Sequence, residues 1–471
     1  MPVHDPRLLA EWSGGAWRGN PPGRITGFGI DSRTLRPGQL FVAIETAARD
    51  GHAFVSAASR AFASGALVAR FDPNAGLAQL LVPDPARALQ DIAREYRKAF
   101  PGPVIGVTGS CGKTSTKDLL TEALGGRSEV GATEGNLNNL LGLPLTILNC
   151  DPQVHRFAVV EAGISEPGEM TRLASILSPD LGIITSIGPA HLEALGSVES
   201  VAQEKVQLLR QIRPGGRAFF PFECLQWAAF RRLSIPFTVI GTASVRGSKT
   251  DQGNGLSVAY EATAEGAGLR VRVDFPGVRP VTFLLASTSQ GMVSNAVLAF
   301  AAAVQLGQDP EVVAGRLEGW RPAALRGEVI EKDGRLVYLD CYNANPASMR
   351  DAVRAFIGRV GPSVPRLFLV GTMEELGESA GDWHRTVGRE WPMGVQDRFV
   401  LVGDQGDDLC RGLLESGRDP LTITVNPSPG ELASVVENWT GAVFIKGSRR
   451  HRLEEQIGSA WRRAVEAEAA C

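Results

Sequence analysis

From Gly106 to Ser115 the chain reads Gly106-Val-Thr-Gly109-Ser110-Cys111-Gly112-Lys113-Thr114-Ser115, a glycine-rich turn closing on Lys-Thr. Glycines let successive backbone N–H groups converge on phosphate oxygens, and a helix starting there adds a favourable field. Lys113 would reach the β- and γ-phosphates of a nucleoside triphosphate, and the Thr114 hydroxyl would ligate Mg²⁺. The match to G-x-x-x-x-G-K-[ST] is imperfect, because Val107 holds the first glycine position and Gly106 lies one residue early. A structural glycine turn with a surface lysine is the competing reading. The strand–turn–helix context favours ATP or GTP binding.

That context starts with the apolar strand Val104-Ile105-Gly106-Val107 and continues as a helix from about Thr114 to Leu124. Two further strands end in residues suited to the same site. Phe157-Ala-Val-Val160 runs into Glu161, and Leu181-Gly-Ile-Ile184 leads through Thr185 and Gly188-Pro189 to His191. Ligands of open α/β sheets lie beyond the carboxyl ends of the strands, so Gly112, Glu161 and His191 are expected to converge. A carboxylate so placed commonly holds Mg²⁺, directly or through water. Taken singly, Glu161 reads equally well as a solvated turn residue, and a lone histidine as a packed or capping one.

At about 150 residues per domain, a chain of 471 residues suggests three domains. Apolar residues make up 44% and charged residues 21%, which excludes wholesale disorder. A net charge of -3 argues against a whole-chain grip on nucleic acid or an anionic membrane. No apolar run is long enough to cross a bilayer, and Met1 to Trp12 lacks the layout of a signal peptide. Cys111, Cys150, Cys224, Cys341, Cys410 and Cys471 are widely spaced and read as reduced thiols of a cytoplasmic protein. Composition shifts place domains at 1–102, 103–321 and 322–471, with Pro101-Gly102-Pro103 and Trp320-Arg321-Pro322 as the boundaries. The last segment alternates strands (Leu336 to Asp340, Arg366 to Val370, Phe399 to Val402, Leu421 to Val425, Ala442 to Ile445) with helices, the pattern of a doubly wound, mostly parallel sheet. The fold class is α/β throughout. A helix from Glu199 to Ile212 would put Lys205 on one stripe with Val201, Leu208, Leu209 and Ile212. A lysine facing inward is expected to be paired, neutralised or chemically changed, or else to snorkel outward.

The loop Thr108-Gly-Ser-Cys-Gly-Lys-Thr114 resembles the ATP loop of the Mur ligases, the ADP-forming enzymes that build the peptidoglycan peptide. Other matching stretches are Asp31-Ser-Arg33, Pro37 to Ala43, Asp50-Gly-His52, Glu161-Ala-Gly163 with Gly168-Glu169, and Gly188-Pro-Ala-His-Leu-Glu193. Met373-Glu-Glu-Leu-Gly377 with His384, and Lys446-Gly-Ser-Arg449, complete the set. Gly135-Asn-Leu-Asn-Asn139 and Tyr342-Asn-Ala-Asn-Pro346 are similar to the branch that adds D-alanyl-D-alanine to UDP-N-acetylmuramoyl-tripeptide. The resemblance covers nearly the whole chain. It implies a uridine-nucleotide domain, a central P-loop-type ATPase domain with a parallel sheet, and a Rossmann-like third domain receiving the dipeptide. ATP, Mg²⁺ and these two substrates are the implied ligands, and a monomer is expected.

Residue by residue, the resemblance implies that Ser32 and Arg33 contact the uridine nucleotide, although Asp-Ser-Arg is also ordinary turn chemistry. Asn136, Asn138 and Asn139 would lie beside the reacting carboxylate, or simply cap and turn the chain. Asn295 would read adenine, or cap a helix over Ala296 to Leu306. Arg326 and Asp340 would reach the γ-phosphate and the ribose after domain closure. Asn343, Asn345, Lys446, Ser448 and Arg449 would form the dipeptide pocket, the last turn opening a helix suited to an anion. Lys113, His191, Lys205 and Arg326 would serve the chemistry, and Thr114, Glu161, His191 and Lys205 the metal, with Lys205 carrying CO₂ as a carbamate. Ser186 and Thr372 depart from the usual asparagine and aspartate of the family, and Cys111 sits inside the ATP loop. A sibling ligase adding one amino acid, a folate-type ligase, a small-molecule kinase and a relict nucleotide-binding protein are the rival readings.

Overall fold

Apolar strands followed by amphipathic helices recur three times along the chain, and each recurrence closes around its own sheet. The computed structural model describes residues 1–456 apart from 243–254 and positions 333, 362, 393 and 395. Cys471 lies outside the described residues.

The first sheet orders Ala16–Arg18, Gln79–Leu81, Gly65–Val68, Leu40–Val42 and Phe28–Gly29, parallel except for its first pair. Helix Pro85–Ala99 leaves it under an Asp84 cap, with Pro85 in the first turn where no amide is lost. Its inner face docks on the second domain. Tyr96 donates to Cys150 O at 2.8 Å, and Arg97 donates to Leu177 O, Ser178 O and Asp180 Oδ2 at 2.9, 3.0 and 2.7 Å. At the same seam His4 Nε2 donates to Leu148 O at 2.9 Å, with the ring wedged between Phe28 and Tyr96.

Burial pushes His4 down from 6.5 to about 4, so the unfolded chain holds its proton more tightly than the folded one. Stability present at neutral pH is therefore lost as pH falls from about 6.5 towards 4, on the order of 3 kcal/mol in all. Melting temperatures measured between pH 7 and 4.5 should fall more steeply for the wild type than for His4→Gln, whose amide can keep the Leu148 bond without titrating. Parallel curves would remove His4 as the cause.

Among the described residues the second sheet has nine strands, parallel from Val130–Ala132 through Phe157–Glu161, Val104–Thr108, Leu181–Ile184, Arg217–Pro221 and Phe237–Gly241 to Gly255–Glu265. Two antiparallel strands, Gly268–Asp274 and Val281–Leu285, close that edge. Its central strands are buried on both faces, as parallel strands under helices must be. The helix expected over Glu199 to Ile212 is two pieces, Val198–Lys205 and Gln207–Arg210, interrupted at the fully buried Val206. The inward stripe survives the break, since Val201, Lys205, Leu208 and Leu209 are all sealed from solvent.

The third sheet orders Glu328–Lys332, Arg335–Asp340, Ala442–Lys446, Arg366–Gly371, Asp397–Val402 and Ile423–Val425, parallel except for its first pair. The expected start at Leu421 is instead a short 3₁₀ turn, Pro420–Thr422, capped by Asp419, and the strand begins at Ile423. Among the described residues no helix is long and apolar enough to cross a membrane.

Candidate active site

The carboxyl ends of the central parallel strands open on one cleft of about 790 Å³, lined by residues of the second and third domains. From the second domain come Ser110 to Ser115, Asn136, Asn138, Asn139, Glu161, His191 and Asn295. Arg326, Asp340, Asn343, Asn345 and Lys446 face them from the third. The cleft is built from one chain.

Strand Val104–Thr108 ends at the glycine turn, and helix Lys113–Ala123 starts directly after Gly112. Gly112 has φ 84°, and a Cβ there would lie 2.6 Å from Asn295 Oδ1, so only glycine fits the turn. The end of strand Leu181–Ile184 clamps the loop from below. Ser110 N–H donates to Ser186 O at 2.9 Å, its hydroxyl donates to Gly188 O at 2.9 Å, and Cys111 N–H donates to Ser186 Oγ at 3.1 Å. Thr185 Oγ1 closes on Cys111 O. Cys111 and Ser186, both departures from the family pattern, thus touch each other, with Sγ and Oγ 3.2 Å apart. Lys113 Nζ rests on Gly109 O at 2.9 Å.

Thr114 Oγ1 donates to Glu161 Oε2 at 2.9 Å, and Asn138 Nδ2 donates to Glu161 Oε1 at 2.8 Å. Neighbouring ligands of an octahedral Mg²⁺ sit about 2.9 Å apart, so this hydroxyl and carboxylate suit such an ion without rearrangement. Lys205 is buried completely, and its Nζ has no hydrogen-bond partner among the described residues. Burial pushes its amine well below the usual lysine range; Lys113 pushes the same way, while Glu204 and Glu161 oppose. Snorkelling is thereby excluded. A hydrogen bond between His191 Nδ1 and Glu375 Oε2, 2.5 Å long, joins the second domain to the third. That hydrogen bond holds Glu375 below the usual carboxylate range, against its partial burial.

Several expected ligand groups have structural partners. Asn139 Oδ1 accepts the N–H groups of Leu141 and Gly142 at 3.1 and 2.9 Å, and Asn136 stays exposed. Asn345 caps helix Pro346–Val360 and also donates to Ser110 O at 3.3 Å. Lys446 Nζ, almost fully buried, pairs with Asp340 Oδ2 at 2.7 Å and with Asn343 O at 3.1 Å. Arg326 lies over the Tyr342 ring, 3.9 Å from its centre. The helix expected after Lys446-Gly-Ser-Arg449 is a three-residue 3₁₀ turn whose amide at Arg450 already bonds Ser448 Oγ, and Arg449 pairs with Glu454. It offers no free helix end to an anion. Asn295 is no N-cap: Ser289 caps helix Gln290–Gln305, and Asn295 projects from its second turn. Ser32 and Arg33 lie outside this cleft, with Arg33 exposed and bound to Asp31 at 2.6 Å.

A phosphate-type loop in one α/β domain, faced across a cleft by a second and tied to a third, defines a three-domain nucleotide-dependent enzyme. The sequence matches the Mur ligase family catalytic domain over residues 24–97, the Mur ligase middle domain over 107–303 and the Mur ligase glutamate ligase domain over 325–449. It is 32% identical to the UDP-N-acetylmuramoyl-tripeptide–D-alanyl-D-alanine ligase of Bacillus subtilis over 440 residues, 92% of each chain. The enzyme of that name from Escherichia coli is 28% identical, covering 91% of this chain and 92% of its own. Among solved structures, MurF from Acinetobacter baumannii superposes with a TM-score of 0.83 at 27% identity, over 97% of this chain and 98% of that one. MurF from Thermotoga maritima in complex with ADP gives 0.76 at 25% identity, over 94% and 98%. The chain belongs to the Mur ligase family.

Proposed function

We propose that this chain is an ATP-dependent, ADP-forming ligase that joins D-alanyl-D-alanine to UDP-N-acetylmuramoyl-tripeptide through an acyl phosphate. It would act as a cytoplasmic monomer in peptidoglycan precursor synthesis. The observation that carries the reading is the single cleft in which Lys113, Thr114 and Glu161 face Arg326, Asn343 and Lys446. The two partners of a condensation can meet there, with ATP between them.

In this reading residues 1–102 hold the uridine nucleotide through Ser32 and Arg33, 103–321 hold ATP, and 322–471 receive the dipeptide. The loop from Gly109 to Ser115 cradles the phosphates, and Asn295 and Asp340 hold base and ribose. Lys113 leaves Gly109 O for the γ-phosphate, and Arg326 adds charge from the facing domain. The tripeptide carboxylate attacks the γ-phosphorus and ADP leaves; the dipeptide amine then attacks the acyl carbon and phosphate leaves. A transferring phosphoryl group spreads negative charge, so fixed cations lower its barrier more than any protein nucleophile could. Thr114, Glu161, His191 and a carbamylated Lys205 would hold Mg²⁺, which would neutralise phosphate charge. Asn136, Asn138 and Asn139 border the carboxylate; Asn343, Asn345, Lys446, Ser448 and Arg449 border the dipeptide. With Nδ1 on Glu375, His191 would offer Nε2 to the metal, and the closure of the third domain that makes this pairing would belong to turnover.

Incubation with ATP, Mg²⁺, the UDP-tripeptide and a panel of amines tests the assignment. Mass spectrometry should find UDP-muramoyl-pentapeptide with D-alanyl-D-alanine. Preference for a single amino acid over the dipeptide would overturn it. Gly112→Ala should cost about 1–3 kcal/mol of nucleotide affinity through strain and the Asn295 clash, raising the ADP dissociation constant roughly tenfold or more. Unchanged ADP affinity by calorimetry would detach the loop from the nucleotide.

A further inference from the structure

Helix Pro346–Val360 of the third domain meets the nucleotide side of the cleft at its cap and again at Asp351. At the cap, Asn345 donates to Ser110 O in the phosphate loop at 3.3 Å. Further along, Asp351 Oδ2 accepts the Ser289 hydroxyl at 2.5 Å, and Oδ1 accepts the Gly291 N–H at 3.1 Å. Ser289 is the N-cap of helix Gln290–Gln305 and accepts the Met292 N–H at 2.9 Å. That helix carries Asn295, whose amide packs so closely on Gly112 that a Cβ there would approach to 2.6 Å. A continuous line of contacts therefore runs from the third domain through one helix start to the phosphate loop. A carboxylate at a helix N-terminus is favoured by the helix field, and its charged hydrogen bonds are stronger than neutral ones. Here that carboxylate is supplied by another domain, so the helix start is completed only when the third domain is docked.

We infer that Asp351 is a positioning residue for the nucleotide step, coupling docking of the third domain to the placement of Asn295 against the phosphate loop. The inference rests on reading the cleft as the ATP site. It gives closure a direct effect on nucleotide affinity. Gly291 offers a way to disturb the contact from the opposite side. A Cβ there would lie 2.8 Å from Asp351 Oδ2, while alanine suits a helix better than glycine, so Gly291→Ala wedges the carboxylate away without weakening the helix.

The test measures ADP affinity by calorimetry, with KM for ATP and kcat, in Asp351→Ala, Asp351→Asn, Gly291→Ala and the double variant carrying both alanines. Asp351→Ala should raise the ADP dissociation constant and the KM for ATP about tenfold, the loss expected for a charge-assisted hydrogen bond. kcat should fall by less, and affinity for the uridine-nucleotide substrate should stay at its wild-type value. Gly291→Ala should move the same constants in the same direction, and adding it to Asp351→Ala should change nothing more, because both act on one contact. Asp351→Asn, which keeps an acceptor but loses the charge, should fall between. Wild-type ADP affinity in Asp351→Ala and Gly291→Ala, or losses that add in the double variant, would overturn the inference. Should Asp351→Ala fail to fold, the two milder variants decide by the same criterion. A wild-type chain that did not bind ADP would sink the reading of the site, and the inference with it.

Discussion

Lys113→Ala lowers turnover by about 10²–10³-fold, the loss expected when one preorganised electrostatic donor is removed from a developing charge. The ammonium stands at the start of helix Lys113–Ala123, and its rest position on Gly109 O is a backbone contact that ATP can replace. On the proposed reading, its removal would leave the γ-phosphoryl group with only Arg326 and Mg²⁺. Affinity for the uridine-nucleotide substrate should survive, because that binding is assigned to the first domain, away from the cleft. Steady-state kinetics beside a substrate titration separate the two effects. Near-normal turnover would mean that the loop does not hold the reacting phosphate.

Lys205→Ala is the second large loss, again on the order of 10²–10³-fold if a carbamate there supplies a metal ligand. A fully buried ammonium without a partner is costly, so burial favours the neutral amine, and a neutral amine is the form that attacks CO₂. The N–C bond forms, one proton leaves, and the neutral amine becomes an anion within the field of Lys113. Enzyme equilibrated with ¹³C-bicarbonate should give one carbamate resonance that Lys205→Ala lacks, and acetate should restore part of the variant's turnover. An experimental density map with a bare amine at Lys205 would end the idea while leaving the ligase assignment in place.

What could be read along the chain and what could not follows from how far each contact reaches. The phosphate loop, Glu161 and the inward face of Lys205 are legible because strand, turn and helix periodicity place each of them within a single local element or turn. Asp351 is not, because its partners Ser289 and Gly291 lie 62 and 60 residues earlier and an acid on a helix reads as solvated surface. Glu375 lies in a stretch that resembles the family, yet its pairing with His191 needs two domains to meet. The family resemblance points Asp340 and Lys446 to different ligands. Parallel pairing of their strands puts them directly side by side, a register that no local pattern encodes. The capping alternative for Asn295 failed because Ser289, one turn and more upstream, already starts the helix.

The most direct test of the account is phosphate release from ATP in the presence of UDP-N-acetylmuramoyl-tripeptide and Mg²⁺, measured with and without D-alanyl-D-alanine. A ligase acting through an acyl phosphate should release phosphate in step with pentapeptide only when the dipeptide is added. A stable phosphorylated product, or phosphate release indifferent to the dipeptide, would contradict it.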